Sequence, residues 1–362
     1  MDSIPFGIVI ILALVVSAVI SFGTTPLVKK MAYKVGAIDV PKDERRMHKH
    51  PIPRLGGLAI ALGFLLSVLV FADVNTQLQG ILLGAVIIVV LGVLDDCLTL
   101  RAPVKFVIQI LAACIVAGHG CTIRYLSNLA FTGDLAYVDL GSWSIPVTVI
   151  WIVAITNAVN FIDGLDGLAV GVSAISAATL LVIALLVSDS SIAIVIAALL
   201  GACLGFLPYN FNPAKIFMGD TGSTFLGFIL ACLSIQGMFK LYAIISFAVP
   251  FLILGVPIFD ICFAIIRRLA KHQNPMKADR GHIHHRLIDM GFSQKQAVAI
   301  TYMLTAILGL AAVVLTSSGE AKALLLIGSI IVVGALGFGL IFNRKPGLQS
   351  ADKNTDEKVE SK

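Results

Sequence analysis

The sequence predicts an all-α polytopic integral membrane protein, and three observations carry that prediction. Of its 362 residues, 58% are hydrophobic and only 13% charged, where soluble domains run near 45–50% and 25%. Mean hydropathy is +0.98. Apolar runs close to 20 residues, the length that crosses a bilayer as a helix, recur along the whole chain.

The first run, 4–28, lacks a positively charged leader, since Asp2 precedes it. It is too long for the apolar core of a cleaved signal, and Lys29 and Lys30 flank it as they flank a retained span. Runs at 55–72, 77–94, 104–120, 145–161, 167–188 and 191–208 follow, then 222–239, 241–266, 297–316 and 321–342, about eleven transmembrane helices in all. Pro208 and Pro213 separate the seventh from the eighth.

Alternate connections, with the C-terminal tail, hold 23 of the 26 Lys and Arg; only Arg124, Lys240 and Lys322 fall on the other side. Positive charge marks the cytoplasmic side, so the N-terminus is expected outside and the C-terminus in the cytoplasm. In the outside loop 121–144, the alternation of Leu135, Tyr137 and Asp139 before Gly141 predicts a small β-hairpin. Residues 1–342 read as one transmembrane catalytic domain and 343–362 as a disordered cytoplasmic tail. The six cysteines include no CxxC pair, which argues against a thiolate metal site. The membrane is the expected partner surface, nucleic acid is not, and a homodimer is expected only on the general frequency of twofold assemblies.

Carboxylates beside a bilayer are costly and need a reason. Asp95, Asp96, Asp163, Asp166 and Asp220 fall in three loops on the same predicted face. One carboxylate alone is as well explained as a helix cap; five together argue for one site, and hard oxygen ligands suit Mg²⁺ with phosphates. Adjacent helical residues do not share a face, so Asp95 and Asp96 can serve two tasks. Arg101 and Lys105, four apart, can face the same phosphates.

Asn157 and Asn160 lie three apart before Asp163-Gly164-Leu165-Asp166-Gly167, a tight loop with backbone N–H groups and paired carboxylates that can approach a phosphate or ribose closely. Asn210, Phe217, Gly219 and Asp220 lead into the next span, whose opening N–H groups form an anion site. Phe217 can stack on a base or serve as an interface aromatic. His282, His284 and His285 suggest zinc at first sight; with no cysteine beside them, and with Arg280 and Arg286 flanking, a phosphate clamp fits better. Gly56-Gly57 at the head of the second span implies close backbone approach to a helix or a ligand. Asp260, deep in the ninth span, is expected to pair with Arg267 or Arg268.

These motifs, in this order, resemble the polyprenyl-phosphate N-acetylhexosamine-1-phosphate transferases. The resemblance runs over about residues 20–290 and rests on Pro53-Arg-Leu-Gly56-Gly57, Asp95-Asp96 with Lys105, Asn157-x-x-Asn160-x-x-Asp163-Gly-x-Asp166-Gly, Phe217-x-Gly219-Asp220-x-Gly-Ser223 and His282-x-His284-His285. Any one is weak; five in order on one face are specific. The resemblance implies attack by a lipid phosphate, typically undecaprenyl phosphate, on the β-phosphorus of a UDP-sugar, with UMP leaving, and a requirement for Mg²⁺ or Mn²⁺. It implies Asp220 as the main metal ligand, with Asp95 and Asp96 as further ligands. Asp95 would act on the lipid phosphate with Asp96 beside it. Asn210, Asp163, Gly164, Asp166 and Phe217 would line a uridine pocket, Lys49 would approach uridine or the phosphates, and the three histidines would contact phosphate or sugar.

Arg54, where the pentapeptide-sugar branch usually has Thr, and the His-Ile-His-His-Arg-Leu pattern favour UDP-N-acetylglucosamine as donor, with a muramoyl-pentapeptide or another N-acetylhexosamine as the alternative. A transporter, the rival of another class, would place ionisable groups near the bilayer midplane in repeated halves; here they gather at one end. A scaffold that has lost catalysis would tolerate lost motif carboxylates, and none is missing.

Overall fold

The computed structural model describes residues 5–41, 50–127, 137–187, 190–236, 245–270, 282–318 and 328. Its helices are α1 Phe6–Val35, α2 Gly57–Phe71, α3 Thr76–Leu98, α4 Ala102–Gly118, α5 Ser144–Phe161, α6 Leu168–Leu186, α7 Ser190–Asn210 and α8 Gly219–Gln236, followed by α9 Ile245–Ile253, α10 Gly255–Ala270, the short α11 Ile283–Asp289 and α12 Gln294–Ser318. Two two-stranded antiparallel pairs complete it: β1 Ile38–Asp39 with β2 Ile52–Pro53, and β3 Tyr125–Ser127 with β4 Tyr137–Asp139. The second pair is a hairpin within loop 121–144; Leu135 lies outside the described residues.

Among the described residues, six helices are long and apolar enough to cross a membrane. Ile11, Val19, Leu27, Val107, Ile150 and Ile266 are each more than 60% exposed. Such an apolar exterior is what a lipid solvent requires of a helical protein, whose backbone polar groups are satisfied within each helix. The protein is an all-helical membrane protein.

Small residues let the helices approach. Ser17 and Ser21 of α1 donate to the carbonyls of Ala198 and Ala202 in α7 at 2.6 and 2.8 Å. A Cβ on Gly201 or Gly205 would stand 2.1 or 2.2 Å from the carbonyl oxygens of Leu14 and Ala18. Close contact of this kind drives association where burial from water no longer can. Every residue of α8 from Thr221 to Ile235 is buried, with α2, α3, α5 and α6 packed around it. A Cβ on Gly57 of α2 would stand 2.0 Å from the Gly222 nitrogen, and one on Gly92 of α3 2.3 Å from Thr221 Cα. The close approach expected at Gly57 is thus to a helix, and the N-terminus of α8 is held by direct backbone contact.

Three expected boundaries move. α1 runs on through Lys29, Lys30 and Lys34 to Gly36, whose φ of 74° ends it. α7 continues through Pro208 to Asn210. Within the run 241–266, the described residues from Ile245 form two helices, broken at Leu254. Pro257 has no N–H to offer the Ile253 carbonyl; the Ser176 hydroxyl of α6 donates to it instead, at 2.9 Å. The run 321–342, apart from residue 328, and the tail lie outside the described residues.

Candidate active site

At the bundle end where α3, α5 and α7 finish and α2, α4, α6, α8 and α12 begin, the loops close around a cavity of about 810 Å³. The charge bias along the chain assigns these same loops to one face.

Asp95 and Asp96 close α3 and divide the work. Asp95 accepts from the Leu100 backbone at 2.7 Å and from Lys105 Nζ at 2.8 Å. Lys105, in the first turn of α4, also donates to Asp220 Oδ2 at 2.8 Å. One ammonium therefore sits between two hard oxygen donors from two helix ends. Asp96, expected on the metal, turns its oxygens to the start of α8. Its Oδ1 accepts from the Asp220 backbone N–H at 3.0 Å; its Oδ2 accepts from the Thr221 N–H at 3.0 Å and the Thr221 hydroxyl at 2.7 Å. The opening N–H groups of α8 do form an anion site, and an internal carboxylate fills it. Gly219 makes room: its φ is +70°, and a Cβ there would lie 2.4 Å from Asp96 Oδ2.

The asparagine stripe splits. Asn160 lines the cavity and donates to Ser223 Oγ at 2.7 Å. Asn157, expected on the ligand, turns to Gln109 Oε1 at 2.6 Å and ties α5 to α4, away from the cavity lining. Asp163, Gly164 and Asp166 all line the cavity. Burial, and then the carboxylates of Asp220, Asp96 and Asp166, hold the Asp163 carboxyl well above the usual carboxylate range, although its edge stays open to the cavity. Asp166 accepts from Asn212 Nδ2 at 2.9 Å and from the Ala214 N–H at 3.0 Å, fixing the segment after α7. Asn210 is spent on the frame as well: it accepts from Gly167 N at 3.1 Å and donates to the Ile216 carbonyl at 3.0 Å. Tyr302 of α12 clamps the same loop, donating to the Gly167 carbonyl at 2.5 Å. Phe217 lines the cavity, its N–H on the Pro53 carbonyl at 2.9 Å.

The three histidine rings adjoin, with 5.8 and 4.3 Å between successive centroids, but meet different partners. His282 is buried, and its Nδ1 lies 2.7 Å from Asp260 Oδ2, while the Ile283 N–H donates to Asp260 Oδ1 at 2.7 Å. The deep carboxylate, expected to pair with Arg267 or Arg268, thus anchors the start of α11. His284 packs on Gly164, where a Cβ would come within 2.2 Å of its Nε2. Of the three, His285 lines the cavity. Burial, and then the neighbouring His285, hold the His284 imidazole down to about 3. An unfolded chain protonates this ring near pH 6.5 while the fold keeps it neutral, so stability falls as pH drops below about 6.5, by roughly 1.4 kcal/mol per unit, down to about pH 3. Unfolding midpoints measured between about pH 7 and 4.5 are expected to fall less steeply in His284→Leu; equal slopes in the two proteins would rule out this source of acid sensitivity.

Arg101 is exposed and does not line the cavity. Lys49 and Arg280 lie outside the described residues. Sequence reasoning missed Lys29 and Tyr33, which line the cavity because α1 is longer than its apolar run. It also missed Asn212, Lys215 and Gln294. The signal for the first two was Gly36, a helix stop that lies beyond the apolar run.

Fold and site together define a class: a membrane-embedded helical protein with a carboxylate- and lysine-lined chamber at one end of its bundle. Residues 78–238 match the family model described as Glycosyl transferase family 4. The chain is 44% identical over 310 residues to the probable undecaprenyl-phosphate N-acetylglucosaminyl 1-phosphate transferase of Bacillus subtilis, covering 85% of this chain and 86% of that protein. It is 34% identical over 351 residues to the decaprenyl-phosphate N-acetylglucosaminephosphotransferase of Mycobacterium tuberculosis, covering 88% and 85%. With the undecaprenyl-phosphate alpha-N-acetylglucosaminyl 1-phosphate transferase of Escherichia coli it shares 30% identity over 77% of each chain. The chain belongs to glycosyl transferase family 4.

Proposed function

We propose that the protein transfers N-acetylglucosamine 1-phosphate from UDP-N-acetylglucosamine to undecaprenyl phosphate at the cytoplasmic face of the plasma membrane. The products are undecaprenyl-pyrophosphoryl-N-acetylglucosamine and UMP. This is the first membrane step toward a surface polymer. The observation that carries the reading is the Asp95–Lys105–Asp220 centre, whose Asp220 lines a polar chamber in an apolar bundle. The relatives' names supply the sugar and the lipid class. In this reading the shorter apolar helices complete the spans, with the N-terminus outside.

An oxygen of the lipid phosphate forms a bond to the β-phosphorus of the donor. The bond from that phosphorus to the oxygen bridging the α-phosphate breaks, and UMP leaves with that oxygen. Such transfers are catalysed mainly by positioning and charge neutralisation. Lys105, oriented by Asp95, meets the negative charge of the incoming lipid phosphate. Asp163 and Asp166 present their loop to the nucleotide, with Phe217 beside the base. His285 faces the phosphates or the sugar from α11.

The donor set fits a magnesium ion. Among the described residues no three His, Cys, Asp or Glu side chains form a ready cage, and Mg²⁺ is usually held by one or two carboxylates plus substrate phosphates. Asp220 and Asp95 already direct oxygens at one cationic group, Lys105 Nζ. They are the residues that would hold Mg²⁺ (or Mn²⁺), which supplies charge neutralisation at the pyrophosphate.

UMP release by the detergent-purified protein tests the reading, with Mg²⁺, undecaprenyl phosphate and, in parallel, UDP-GlcNAc, UDP-GalNAc or UDP-MurNAc-pentapeptide. Release that needs lipid and metal, and occurs with UDP-GlcNAc alone, is expected. Release with another donor instead overturns the sugar, and none with any donor from folded protein overturns the reaction.

A further inference from the structure

We propose that Arg54 binds a phosphate of the nucleotide donor, as the fixed cation of the chamber; this rests on the nucleotide-sugar reading above. The residue sits where β2 meets α2, and its backbone is pinned on both sides. Its N–H donates to the Ala37 carbonyl at 2.9 Å, and it bridges to Phe217 in parallel fashion. Two residues on, the Gly56 N–H donates to the Phe217 carbonyl at 2.9 Å. The side chain lines the cavity. Its Nη2 donates to the Asp96 backbone carbonyl at 3.2 Å, and its Nε stands 3.8 Å from Asp96 Oδ1. At that distance the two attract without a hydrogen bond. The Nε is buried and finds no acceptor among the described residues.

Nε is covered by protein, so the donors left to a ligand are the outer guanidinium N–H groups of a side chain that is 29% exposed. The neighbouring carboxylate is spoken for: Asp96 gives its oxygens to the start of α8. The guanidinium is therefore held in place by neighbours that do not use all of its donors. Among the described lining residues, Asp39, Asp96, Asp163, Asp166 and Asp220 stand against Lys29, Arg54 and Lys215. Lys105, held between Asp95 and Asp220, is the cation assigned above to the lipid phosphate. A pyrophosphate brought to such an acid-rich wall gains from a positive group beside Asp96, and Arg54 stands there, its Nε 3.8 Å from Asp96 Oδ1. A planar fork of N–H donors suits a phosphate better than an ammonium does.

The test uses full-length protein in detergent and titrates uridine, UMP and UDP as inhibitors of turnover, with thermal unfolding in parallel. Arg54→Leu is expected to weaken UMP and UDP by about 10- to 100-fold and to leave uridine unchanged. Arg54→Lys keeps a charge beside Asp96 and the wild-type unfolding midpoint, and is expected to weaken UMP and UDP about tenfold. Should Arg54→Leu not fold, Arg54→Lys decides alone. A purely supporting role predicts equal losses for uridine and the nucleotides in Arg54→Leu and full rescue by lysine; either result overturns the proposal. A wild-type protein indifferent to UDP overturns the donor reading and this assignment with it, whereas wild-type binding of UDP with both variants unchanged overturns Arg54 alone.

Discussion

Replacing Asp220 by asparagine is expected to lower UMP release by about a thousand-fold while leaving the unfolding midpoint where it is. The size follows from the loss of one preorganised charge at a centre that works by charge neutralisation. The unchanged stability follows from geometry. The Asp220 side chain is 30% exposed and Lys105 26%, and an ion pair that open to water contributes little to folding. The Asp220 backbone N–H, which does hold the fold, survives the substitution and still reaches Asp96. A magnesium titration of the residual activity sharpens the result, since the variant is expected to need more metal. Turnover equal to wild type would remove Asp220 from the metal and leave Lys105 and Asp95 without their partner in the mechanism.

Asp96→Ala is expected to do the reverse, collapsing stability first and activity as a consequence. It strips three donors at the start of α8 of their acceptor and leaves the Arg54 guanidinium beside a vacancy. Removing one member of a buried charged network costs about 3–5 kcal/mol. Unfolding of the purified variant by rising detergent denaturant is expected to occur well before wild type. Asp96→Asn, which keeps acceptor capacity on one oxygen only, should fall between. An alanine variant as stable as wild type, inactive and unresponsive to magnesium, would return Asp96 to the metal site.

The pair of adjacent aspartates shows how far the sequence could be read. That they serve two tasks follows from helix geometry alone; which task each serves depends on a helix more than 120 residues later. The same limit separates Asn157 from Asn160. Their spacing places both on one stripe, yet the partner of the first is Gln109, an unremarked polar residue within an apolar run, and that of the second is Ser223. The three histidines were legible as a group and illegible as individuals, because Asp260 and Gly164, which sort them, are distant in sequence. Helix positions were plain from hydropathy. The break at Leu254 was not, because a proline's orphaned carbonyl shows in the sequence only if its rescuer, Ser176, is known.

The glycines around α8 carry a consequence for how such a protein can diversify. Gly57, Gly92, Gly222 and Gly227 each meet neighbouring backbone, or a side chain's first carbon, where a methyl group would stand. The central helix is thus a fixed axle with no room for even the smallest experiment in side-chain size. A lineage that changes its donor sugar has to do so in the rim, through segments such as 50–54, 162–167, 210–217 and the turn carrying His285.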